Sequence, residues 1–207
     1  MLPIEIPPGT TATVLVTVIV PQLHAKMVPA DAPADPFAVA VRIEDEGSWT
    51  VRVHGQRMTV SEGEEPGVKP TLWMWTTARA VERFLEDATG EKRMLPKFGA
   101  VGGVATMSDP RVLKRVAMAS GRIELALVDE QGERHGIVFG FGAAAKKEID
   151  PEDADTVIET DLVTAERVLR GDMGPEEALA DGNVRVKGNR FLAMQLALAV
   201  APFYPAK

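Results

Sequence analysis

Hydrophobic and polar positions change period several times along this chain, and each change marks an element. The order is clearest between Asp155 and Pro202. Thr156 to Thr160 alternate small, β-favouring residues and predict a strand, after which the Asp161 carboxylate can cap the free amides of a helix starting at Leu162. Leu162, Ala165, Val168 and Leu169 recur at helical spacing, while Glu166, Arg167 and Arg170 fall mostly on the other side. Gly171 stops that helix. Gly174, Pro175, Glu176 and Glu177 start a shorter one, with proline at a first helical position and two carboxylates near the positive end of the dipole. Asp181 and Gly182 end it. Val184 and Val186 alternate with Arg185 and Lys187 as a half-buried strand, Gly188 and Asn189 turn the chain, and a last helix runs from Arg190 to about Ala201. Between Phe191 and Ala201 the one polar residue is Gln195, and a helix apolar nearly all round must be covered on both sides.

Earlier segments read less evenly. Met1 to Gly9 is a proline-rich arm. From Thr10 to Met27 the run of Val14, Leu15, Val16, Val18, Ile19 and Val20 favours a strand by propensity, and Pro21 would interrupt a helix there. Pro29 to Pro36 is a loop. Phe37 to Ile43 and Trp49 to Val53 alternate around Asp45, Glu46 and Gly47, which predicts a hairpin. A third strand covers Arg57 to Ser61. A fourth covers Pro70 to Thr76, with Trp73 and Trp75 on one face and Leu72 and Met74 on the other.

This order then recurs. Thr71 to Gly90 lies over Asp155 to Gly174 at an offset of 84, with Glu82, Arg83, Leu85 and Gly90 identical to Glu166, Arg167, Leu169 and Gly174. After a slip in the glycine-rich stretch 99–103, Val104 to Met107 lies over Val184 to Lys187, and Val112 and Val116 over Leu192 and Leu196. The hairpin around Gly47 lies over Ile123 to Phe141, which turns at Asp129 to Gly132. Two diverged copies of one unit are expected, meeting near Ser120.

The stretch from Asp155 to Pro202 resembles the sterol-carrier protein family, also called nonspecific lipid-transfer or sterol-binding domains. Thr160, Asp161, Gly182, Gly188, Leu192, Ala193, Met194 and Leu196 match its pattern, with Asn189 in place of the usual Asp and Gln195 in place of the usual Lys. The resemblance implies an α+β fold, an antiparallel or mixed sheet covered by helices; together with the internal recurrence, two tandem units are expected, residues 1–120, with an N-terminal arm and helix, and residues 121–207. It also implies a helix rather than a strand over 10–27. It implies a noncatalytic apolar cavity for a fatty acyl chain, a sterol or another hydrophobic small molecule. Lining candidates are Phe191, Leu192, Met194 and Leu198 of the last helix, Leu162 and Val168 of the helix before it, and Trp73 and Trp75 as an aromatic wall or an interface between the halves. Burying ten methylenes is worth roughly 8 kcal/mol before the cost of association, so micromolar affinity is the ceiling.

Composition narrows the alternatives. The 207 residues are 45% hydrophobic, enough for a packed core, and the net charge of −7 without a basic cluster argues against nucleic acid as a partner. Absence of cysteine excludes disulfides and thiolate chemistry and suits a reducing cytoplasm, the expected location. The apolar run Ala12 to Pro21 is shorter than the roughly 20 residues a spanning helix needs and is a poor signal peptide, and the terminal Pro205-Ala206-Lys207 is no peroxisomal address. His24, His54 and His135 have no second histidine or carboxylate at ligand spacing, so no metal is expected, nor any other cofactor. Glu64 with Glu65, Glu176 with Glu177 and Lys146 with Lys147 read as solvated pairs. Gly140 and Gly142, alternating with Phe139 and Phe141, read as strand glycines at a bend or bulge. No nucleophile elbow or phosphate loop is present. The expected partner is a hydrophobic small molecule or lipid, without stable membrane insertion. A structural module docking to a partner enzyme is the alternative, and a second copy of the chain is a further candidate partner.

Overall fold

A computed structural model describes residues 4–7, 9–28, 35–85, 94–95, 110–142, 154–170 and 172–200. The glycine-rich stretch 99–103, Val104 to Met107 and the Lys146–Lys147 pair lie outside these.

The ambiguous N-terminal run is a continuous helix, α1, over residues 12–27. Thr11 caps it by accepting from the Val14 amide at 3.2 Å. Its middle, Leu15–Ile19, is wound as a π-helix, so that the Val20 amide reaches back to the Leu15 carbonyl, and Pro21, which has no amide to donate, follows in the next turn. Burial of Ala12, Leu15, Val16 and Leu23 on one face overrides the β propensity of the valines.

Strands β2 (Phe37–Glu44), β3 (Gly47–His54) and β4 (Arg57–Glu62) form a meander, with Asp45 in the left-handed region at φ 64 in the first turn. β5 (Leu72–Thr77) leads into α2 (Ala78–Leu85), and α3 (Pro110–Met118) precedes the hairpin of β7 (Gly121–Val128) and β8 (Arg134–Phe141). Then come β9 (Thr156–Asp161), α4 (Leu162–Arg170), α5 (Pro175–Ala180), β10 (Val184–Gly188) and α6 (Arg190–Val200), in the predicted order. Asp161 caps α4 as anticipated, taking the Thr164 amide and hydroxyl at 2.8 Å each. Two short strands, β1 (Ile4–Glu5) and β6 (Met94–Leu95), pair separately.

The main sheet has eight strands in the order β10-β9-β7-β8-β5-β2-β3-β4. The protein is therefore α+β, with a mixed sheet. Two neighbouring pairs, β2 with β5 and β7 with β9, are parallel and the others antiparallel. The parallel registers correspond: Val39 lies opposite Leu72 and Ile123 opposite Thr156, and all six partners of one pair map to the other at the same offset of 84. β5 and β8 join the halves by antiparallel pairing, Leu72 opposite Phe141.

One face of this sheet carries the core. Val39, Val41, Ile43, Leu72, Ile123 and Phe141 pack with Leu15 and Leu23 of α1, Val81 and Leu85 of α2, Val112 and Val116 of α3, and Leu192 of α6. Because side chains alternate along a strand, Trp73 and Trp75 point to the opposite face, beside Ala40 and Arg42 of β2 and Gly140 and Val138 of β8.

Candidate functional site

The core-facing side of the sheet is not equally covered. In the first half Val41, Trp49 and Val51 are buried. Among the described apolar residues of β2, β3 and β4, only Met58 and Val60 of the edge strand β4 are half-buried, with α1 lying against β4 and placing Leu15, Val16 and Leu23 in the same core. In the second half a row of register partners, Ile137 on β8, Leu125 on β7, Ile158 on β9 and Val186 on β10, is half-buried throughout. Phe139 and Met74, opposite each other on β8 and β5, are also half-buried. Three strand spacings separate Ile137 from Val186, so this apolar track is about 14 Å long at ~4.8 Å per strand.

Helices α3 and α6 pack on one another, and α6 also touches β7, β9 and β10. Its position is fixed at its first turn. Asn189 accepts from the Phe191 amide at 3.1 Å and the Leu192 amide at 3.3 Å, while its own amide donates to the Asp155 carbonyl at 2.8 Å. The Thr156 hydroxyl, fully buried, donates to the Asn189 carbonyl at 2.8 Å. Gly188, at φ 83, lets the chain pass so close to the Asp155 carbonyl that no Cβ would fit. These bonds tie the end of β10 to the start of β9 and drive Leu192 into the core, where it is 1% exposed.

Of the lining candidates whose side chains are described, Leu192 alone is a core residue. Phe191 and Met194 are 61% and 52% exposed, so they lie on the outer side of α6. The Leu198 side chain lies outside the described residues. Leu162 and Val168 are half-buried on α4, which packs against β7 and β9. Trp73 and Trp75, half-buried, are separated from Leu192 by the sheet. Reasoning from sequence missed Leu125, Ile137, Phe139, Ile158 and Val186. Their two-residue spacing was visible, but their alignment across four strands depends on register.

Two polar clusters flank this region. On the sheet face that carries the tryptophans, Glu124 is buried and bonded to Arg134 at 2.5 Å; burial pushes its carboxyl up, and the guanidinium pulls it part of the way back. At the β7–β8 turn the Asp129 carboxylate accepts from His135 at 3.1 Å and from the amides of Gln131 and Glu133 at 3.0 and 2.8 Å; the bond from His135 leads in holding Asp129 below its ordinary value. The hairpin thus supplies His135 with a carboxylate that linear spacing did not reveal. Ligand atoms of Asp129, Glu133 and His135 lie within 4.8 Å of one another, but the Asp129 bonds staple the turn and Glu133 pairs with Arg79. Among the described residues, no helix is long and apolar enough to cross a membrane.

Residues 104–200 match the model of the SCP-2 sterol transfer family, a segment that runs from before α3 to the end of α6. No protein with a curated description matches. Among solved structures, the chain is similar to a conserved hypothetical protein of Thermus thermophilus described as possibly a sterol carrier protein, at 26% identity over 44% of this chain and 70% of that one, with a TM-score of 0.32. It is also similar to the apo form of sterol carrier protein 2 from Yarrowia lipolytica, at 17% identity, 49% and 94% coverage and a TM-score of 0.35. A third is sterol carrier protein domain 2 of Helicoverpa armigera, at 17% identity, 50% and 82% coverage and a TM-score of 0.37. Residues 104–200, a little under half of the chain, are thus similar to the SCP-2 sterol transfer family.

Proposed function

We propose that this protein binds and carries a lipid, a fatty acyl chain or another hydrophobic small molecule, without transforming it. The observation that carries the reading is the half-buried track Ile137–Leu125–Ile158–Val186 inside the family-matched segment. Apolar side chains left half-covered on the inner face of a sheet gain free energy when a ligand removes them from water, about 25 cal/mol for each Å² buried. In this reading the track is the floor, with α6 packed on β7, β9 and β10 and α4 on β7 and β9. Because α1 lies on β4 and places Leu15, Val16 and Leu23 in the core of the first half, the reading assigns the ligand to the second.

We also read the chain as two diverged copies. The shared 84-residue register of the parallel pairs supports this. Relatives aligned to this chain should show the same 84-residue periodicity; a first half with no such periodicity removes the duplication.

Native mass spectrometry beside denaturing mass spectrometry of one sample tests the carrier function. A mass lost on unfolding, extractable into organic solvent, is the expected result. If the native mass equals that of the bare chain and purified fatty acids or sterols cannot be loaded, the carrier reading is overturned.

A further inference from the structure

We infer that Met74, on a strand outside the family-matched segment, forms the closed end of the ligand site and sets the length of chain it accepts. The inference rests on the carrier reading above and concerns how the two halves divide the site between them.

β5 belongs to the first half, yet its inner face continues the floor of the second. Met74 lies directly opposite Phe139 of β8, is half-buried like it, and packs against the same core. On the far side of Met74 the floor closes, because its parallel partner Val41 and the next residue in that row, Trp49, are both buried. The adjacent row closes at the same strand. Ile137 is half-buried, but its β5 partner Thr76 is fully buried, with its hydroxyl satisfied by the Gly136 carbonyl at 2.9 Å. At the opposite end β10 is the edge of the sheet. The track therefore runs from the sheet edge at β10 to β5, where it is blocked. A linear chain lying along it would reach β5 beside the buried Thr76, and Met74, half-buried and two residues away on the same face, has an unbranched side chain that can adapt to the chain terminus.

The test is displacement of a fluorescent fatty acid by a saturated series from decanoate to stearate, on the full chain and on Met74→Ala and Met74→Phe, with circular dichroism to confirm folding. In M74A the longer acids should gain over the shorter by about fourfold for each methylene newly accommodated, the equivalent of ~0.8 kcal/mol per buried CH2. M74F should shift the preference toward shorter acids. If folded M74A and M74F keep the wild-type chain-length profile while wild type binds, Met74 is not the end of the site. If wild type binds no acid of the series, this inference fails, while the carrier reading fails only if sterols cannot be loaded either.

Discussion

The Cδ2 of Leu192 lies 2.5 Å from where a Cβ on Gly121 would sit, so the first residue of β7 and the third residue of α6 fit together only because Gly121 has no side chain. Gly121 also has φ 146, outside the range an L side chain adopts easily. Gly121→Ala is expected to lower stability by about 1–3 kcal/mol through strain and overpacking, and Leu192→Ala by about 2–5 kcal/mol through its cavity. The double variant should cost less than the sum, since removing the Leu192 methyls removes the clash. Urea unfolding of the four proteins measures the coupling, and strict additivity would show that the two residues do not meet.

Asn189 stands where the sterol-carrier pattern usually has Asp, and its side-chain oxygen takes two amides at the start of α6. Asn189→Ala should lower stability by about 1 kcal/mol. Asn189→Asp should keep the cap and add a favourable charge at the positive end of the helix dipole, about 0.3–1 kcal/mol. Unfolding midpoints separate these outcomes. An alanine variant as stable as wild type would mean that α6 is held by packing alone.

Asn189 and Asp161 also show why the second half was legible in the sequence. α4 and α6 each begin at a residue whose side chain caps it locally, and local rules survive without knowledge of the fold. The N-terminal helix was not legible in this way, because β-branched residues and Pro21 spoke for a strand and only the π turn at Leu15–Ile19 and burial against the core reconcile them with a helix. The ligand face fell between these cases. Phe191, Leu192 and Met194 share one apolar run in the sequence, but a helix turns about 100° per residue, and of these three Leu192 points inward. Trp73 and Trp75 were correctly placed on one face of a strand, yet which face met the helices follows from pairing between β5, β2 and β8.

Glu124 gives stability a pH dependence of its own. Burial raises its native pKa above that of the unfolded chain, against the partial opposition of Arg134. Between those two values the native state holds more protons than the unfolded state, so this residue's contribution falls as pH rises from the ordinary glutamate value to the raised native one. Glu124→Gln has no proton to lose, and its stability relative to wild type should increase between about pH 4 and about pH 7. Loss of the Arg134 bond shifts the whole difference without changing its slope. Urea titrations at the two pH values provide the comparison; a difference independent of pH would mean that Glu124 titrates no differently in the folded and unfolded chains.

Ile158 sits at the middle of the apolar track, between Leu125 and Val186, and is only half-buried. Its partial exposure makes it a sharper probe of binding than a core residue, because a charge placed there can stay hydrated in the free protein. When a ligand covers the track, that hydration is lost, and an unpaired carboxylate resists desolvation by several kcal/mol. Ile158→Glu should therefore weaken binding of a fluorescent fatty acid by more than about tenfold, or ~1.4 kcal/mol, with a smaller loss of stability. Ile158→Leu, which keeps volume and apolarity, should bind as wild type does. If folded I158E retains wild-type affinity, the ligand does not lie on this face, and the half-covered row from Ile137 to Val186 must have another role.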